Sequence, residues 1–144
     1  MIPEFDDCGN LPPGIHVASL QEVEERFAIF DRSDRRLQLF KRLKRAVTEI
    51  QRVAFVRRIF IAGSFLTNTP EPNDFDCLIV LDPKSANYHL RPFEYQVINR
   101  SAARKTFKGD IFAVLEGTPL HDEYLELFQH NRNDHPKGLV EILK

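Results

Sequence analysis

A chain of 144 residues with 42% hydrophobic content, 12 Phe and a net charge of −1 has the makings of one domain with its own core. Its longest apolar runs are about five residues, as at Cys77–Leu81, where a bilayer span needs roughly 20, so no membrane helix is expected. Cys8 and Cys77 make no disulfide framework and no Cys/His pair has zinc spacing, which points to a reduced, cytoplasmic protein.

The acidic start, Met1–Asp7, lacks the basic and apolar regions of a signal peptide. With Pro3, Gly9, Pro12, Pro13 and Gly14, residues 1–18 read as an extended lead-in to a single domain over 19–144. Ser19-Leu-Gln-Glu22 is a capping-box pattern that opens a helix to about Phe30. Ser33 or Asp34 starts a second helix, whose apolar stripe is Leu39, Phe40, Leu43, Val47, Ile50 and Ala54. A strand over Arg58–Ala62 leads into a Gly63-Ser64 corner, and a second strand covers Asp74–Leu81 until Asp82-Pro83 ends it. Pro92 opens a helix through Phe93–Phe107, Lys108-Gly109 turns into a strand over Asp110–Leu115, and Thr118-Pro119 caps a helix to about Gln129. A polar loop precedes a last short strand, Gly138–Leu143. This order predicts an α+β fold, a small mixed β-sheet with packed helices.

Charge is unevenly placed. Between Arg32 and Arg58 lie ten Lys and Arg against Asp34 and Glu49 alone, a local excess of +8. The segment reads first as the solvated face of a helix, and second as a docking surface for phosphates or an acidic partner.

The chemistry concentrates between Ile59 and Leu81. On a strand, side chains alternate faces, so Asp74 and Asp76 share one face while Phe75 and Cys77 share the other. Two carboxylates on one face suit Mg²⁺, which prefers hard oxygen ligands together with substrate phosphates. Asp110, opening the next apolar run, is the candidate third acid for a metal pair. Gly63 permits close backbone approach, and the Ser64 hydroxyl and nearby amides are able to donate to phosphate oxygens. Cys77 reads as a buried structural thiol, His121 as a solvated first-turn residue, and Arg104, Lys105 and Lys108 as surface charge. The Phe residues, including Phe112 and Phe128, read as core.

Gly63-Ser64, nine intervening residues and then Asp74-Phe-Asp76 resemble the hallmark of the DNA polymerase beta-like nucleotidyltransferase superfamily. The likeness is to its small bacterial members, the minimal nucleotidyltransferases. The resemblance implies that Gly63 and Ser64 hold a triphosphate, and that Asp74, Asp76 and Asp110 bind Mg²⁺ or Mn²⁺ and catalyse transfer. Phe5–His16 and His135–Leu139 resemble the ends of a bacterial subfamily with this core. The implied activity is transfer of a nucleoside monophosphate from an NTP, with ATP the expected donor, onto an acceptor, expected to be a protein. The implied setting is an antitoxin acting on its toxin. The alternative is a catalytically silent module with the same fold that neutralises a partner by contact. Neither membrane nor nucleic acid is expected as a partner.

Overall fold

The strand-forming runs pair into one five-stranded mixed sheet in the order β1-β5-β2-β3-β4. The computed structural model describes residues 2–29, 34–131 and 133–143. The strands are β1 (Ile15–Ala18), β2 (Val56–Ala62), β3 (Asp76–Leu81), β4 (Asp110–Leu115) and β5 (Leu139–Ile142). The helices are α1 (Leu20–Val23), α2 (Arg35–Gln51), α3 (Pro92–Ile98), α4 (Arg100–Phe107) and α5 (Pro119–Leu127). β3 pairs antiparallel with β2 and parallel with β4, while β5 pairs antiparallel with β2 and parallel with β1. The architecture is therefore the expected α+β one. Among the described residues no helix is long and apolar enough to cross a membrane.

Period-two alternation sorts the strands onto two faces. Ile59, Ile61, Cys77, Ile79, Ile111 and Val140 enter one core with the α2 residues Leu39, Leu43 and Ile50 and with Val97, Ala103 and Phe107. Their neighbours Phe60, Ala62, Leu78, Val80, Val114 and Leu139 form a smaller cluster on the other face, against Phe112, Tyr124 and Phe128. Helix α5 supplies Tyr124 and Leu125 to that second cluster. The predicted α2 stripe is buried from Leu39 to Ile50, but Ala54 falls beyond the end of the helix at Gln51 and is exposed.

Three local expectations change. The lead-in contains β1, whose partner β5 lies at the far end of the chain, so residues 15–18 belong to the sheet. The capping box at Ser19 forms, but the α-helix it opens lasts only to Val23 and continues as a π-turn over Glu24–Ala28. The predicted end at Phe30 and the candidate start at Ser33 lie outside the described residues. The predicted helix 93–107 is two helices: Asn99 adopts extended backbone (φ −76°, ψ 121°) and its side chain accepts from the Ala102 amide. A residue that caps so readily interrupts an apolar stripe that would otherwise continue.

Candidate functional site

β2 ends at Ala62, and Gly63 turns the chain with φ 97° and ψ −175°. That conformation is essentially open to glycine alone. A short 3₁₀ turn, Ser64–Leu66, follows. A Cβ on Gly63 would stand 3.2 Å from Asp76 Oδ2 and 3.6 Å from the Asp74 carbonyl oxygen. The corner thus lies directly against the acids, as the strand-turn-strand reading requires. The Ser64 hydroxyl ties the two parts together: it accepts from the Asn73 amide at 3.3 Å and lies 3.4 Å from the Asp74 carbonyl it donates to.

The acids converge through sheet register. Asp76 pairs with Ala62 on β2 and with Asp110 on β4, and parity puts both carboxylates on the face of Leu78 and Phe112. Asp74 lies two residues before β3, outside the strand predicted to carry it, with the fully buried Phe75 between the two acids pointing to the opposite core. Burial, and then the charges of Asp74 and Asp110, push the Asp76 carboxyl up to about 6. Two cations oppose that rise, Lys137 and Arg104. Arg104 Nη1 lies 3.4 Å from Asp74 Oδ2 and 3.6 Å from Asp110 Oδ2. Burial lowers the Lys137 ammonium, and the charge of Asp76 works against that lowering.

The donor set fits a divalent cation in kind. Its carboxylates are hard ligands, and their mutual repulsion at Asp76 is the electrostatic demand that a cation relieves. In the present arrangement Arg104 and Lys137 meet part of that demand, and among the described residues no group of three or more His, Cys, Asp or Glu side chains is arranged to hold a metal ion.

Arg104 belongs to a shallow groove of about 500 Å³ along α4, lined by Arg100, Ser101, Arg104, Lys105 and Asp110. The Arg100 guanidinium stacks over the Phe112 ring at 4.2 Å. Phe112 in turn packs on Tyr124 and Phe128, each 5.3 Å away between ring centres. Phe112 and Phe128 are only half-buried, so the reading of them as plain core is incomplete.

Two arginines from the basic segment hold the connecting loop. Arg36 is fully buried. Its Nη1 donates to the carbonyls of Phe65 at 2.7 Å and Phe27 at 3.2 Å, and its Nε to that of Thr69 at 3.0 Å. Its Nη2 reaches the Thr67 and Thr69 carbonyls. Arg35 donates to the carbonyls of Pro72 at 3.0 Å and Asn73 at 2.5 Å. Together they clasp the segment from the Gly-Ser corner to the acids. The expectation of a solvated basic face therefore fails at Arg36. The sequence did carry the signal, since Arg36 sits three and four residues before Leu39 and Phe40 on the α2 stripe.

The remaining candidates separate from the site. Cys77 is fully buried and its thiol is pushed up by burial, which leaves it an inert packing residue. His121 is half-buried rather than solvated, and its Nδ1 accepts from the Gly117 amide at 3.2 Å. Asp6 is used in a local turn, accepting from the amides of Cys8 and Asn10. Lys137 lies in the His135–Leu139 stretch that carries the subfamily resemblance, but no spacing in the sequence points to its charge acting on Asp76, 61 residues earlier.

A family model described as a family of unknown function, DUF6932, matches residues 3–143. No curated protein and no solved structure matches the chain.

Proposed function

The chain belongs to the DUF6932 family, and for this member we propose a Mg²⁺- or Mn²⁺-dependent nucleotidyltransferase that moves a nucleoside monophosphate from an NTP, ATP first, to a hydroxyl of a protein acceptor. The observation that carries the reading is the Gly63 corner against Asp76, with Asp110 as the register partner of that acid.

Asp74 and Asp76 would hold the metal, with Asp110 completing the set; the metal, when bound, offsets triphosphate charge. Gly63 leaves room for a phosphate to approach the backbone, and the amides that follow it, with the Ser64 hydroxyl, donate to phosphate oxygens. Asp110 stands at the mouth of the α4 groove, where it accepts the proton of the incoming hydroxyl. That oxygen bonds to the α-phosphorus as the bond to pyrophosphate breaks. The charge of Lys137, which favours the ionised Asp76 carboxylate, limits the repulsion between carboxylates and phosphates. An antitoxin role, with a toxin as the acceptor, rests on resemblance alone.

A second reading is a silent module that works by contact, and one observation favours it: Arg104 and Lys137 already balance part of the acidic charge. The two separate when purified protein is incubated with α-phosphate-labelled NTP, Mg²⁺ or Mn²⁺ and host lysate, beside an Asp74→Asn/Asp76→Asn double variant. Label on a macromolecule from wild type alone supports transfer. Equal labelling by the double variant overturns it, and a wild type that neither labels nor binds Mg-NTP leaves the contact module.

A further inference from the structure

Arg104 sits where a cation belongs. One guanidinium contacts both Asp74 and Asp110, at 3.4 and 3.6 Å, and so occupies carboxylate oxygens that a metal would need. Its side chain is half exposed, at 51%, and leaving the acids disrupts no packed core. It is also a wall of the α4 groove, one helical turn after Arg100 and Ser101 and next to Lys105. Stacking on Phe112 keeps Arg100 on that wall. The groove therefore offers three cations and a hydroxyl, with Asp110 at its edge. A guanidinium fork and an ammonium beside a hydroxyl match the oxygens of a dianionic phosphate better than the single charge of a carboxylate.

We propose that Arg104 is a displaceable counter-ion, held by Asp74 and Asp110 until a divalent metal takes them and then turned into the α4 groove to bind a phosphate group carried by the acceptor. The inference rests on the metal reading of Asp74, Asp76 and Asp110, and it adds the acceptor's chemical class and an order of events. Two linked consequences follow. Removing the Arg104 charge tightens metal binding, because a competitor is gone. Metal and oxyanion each raise the other's affinity in wild type, by the same factor in both directions.

The test is Mn²⁺ binding, read from the EPR signal of free Mn²⁺ at constant ionic strength, in chloride and in sulfate, a soluble phosphate mimic. In chloride, Arg104→Gln is expected to bind Mn²⁺ about three- to fivefold tighter than wild type, the scale of exposed ion pairs. Sulfate is expected to tighten Mn²⁺ binding to wild type and to Ser64→Ala, but not to Arg104→Gln or Lys105→Gln. That contrast separates the groove from the Gly-Ser corner as the seat of the anion. Arg104→Gln binding no tighter than wild type in chloride, or gaining as much from sulfate, overturns the proposal. Wild type binding Mn²⁺ no better than Asp76→Asn sinks the metal reading itself, and the counter-ion role with it.

Discussion

Asp76 and Asp110 are register partners on adjacent parallel strands, so their carboxylates leave the sheet side by side on one face. Burial and this crowding hold the Asp76 carboxyl near 6, above its ordinary 3.8. Between those values the folded protein keeps a proton that the unfolded chain has lost. The stability tied to that proton is full below about 3.8 and is lost as pH rises through about 6. The loss is about 2 kcal/mol once solvent access to a part-exposed carboxylate is allowed for. Asp76→Asn removes the charge and keeps the shape. Its thermal stability is expected to match wild type near pH 3.5 and to exceed it by about 5 °C at pH 8, while any nucleotidyl transfer is abolished. A melting difference that does not change with pH contradicts this account.

The corner opposite those acids tolerates no side chain. Gly63→Ala meets two penalties, the glycine-only conformation at φ 97° and a methyl 3.2 Å from Asp76 Oδ2. The backbone term alone is about 1–3 kcal/mol. The variant is expected to melt several degrees lower and to lose Mg-NTP affinity. Ser64→Ala removes only two long hydrogen bonds and is expected to cost under about 1 kcal/mol. Calorimetric melting of the pair ranks them, and equal losses would show that the corner's conformation is not the limiting feature.

What the sequence made legible was local. The Asp110–Leu115 strand, the corner, and the split of Asp76 from Cys77 follow from period-two alternation and turn chemistry, and the structure has them as read. What it hid depends on distant partners. β1 is a strand because β5 pairs with it from the other end of the chain, and the charge of Lys137 acts on Asp76 from the segment that leads into β5. Asn99 breaks a helix that apolar spacing supports, because its side chain competes for the next helix's amides. Arg36 hid inside a charge run, although its place on the α2 stripe marks it as inward-facing.

The strand start that delivers Asp110 depends on Gly109 lying against Phe75. A Cβ there would come within 2.5 Å of the Phe75 ring, which is itself fully buried between Asp74 and Asp76. Gly109→Ala is therefore expected to cost about 1–3 kcal/mol through overpacking, and to disturb the acids on both sides of the contact. Phe75→Leu opens space at the same point, so the double variant should lose less stability than the two single losses summed. Denaturant melts of the four proteins measure the coupling. Strict additivity would mean that the ring and the glycine do not share the strain.

Arg36 offers the sharpest stability test, because its guanidinium serves backbone carbonyls at Phe27, Phe65, Thr67 and Thr69 from a fully buried position. Burial lowers the guanidinium to about 10, which leaves it charged at neutral pH. Arg36→Met fills similar volume and satisfies none of those oxygens. Leaving several buried acceptors without a donor is expected to cost about 3–5 kcal/mol, a large part of the stability of an ordinary domain. Arg36→Lys keeps a charge but not the fork, and its ammonium has three donors to divide among four carbonyls. It should fall between the other two in melting temperature. Hydrogen exchange locates the effect: amides at 66–69 are expected to lose protection in Arg36→Lys while those of β3 and β4 keep theirs. If exchange rises uniformly across the sheet, Arg36 supports the fold as a whole and not the loop that joins the corner to the acids.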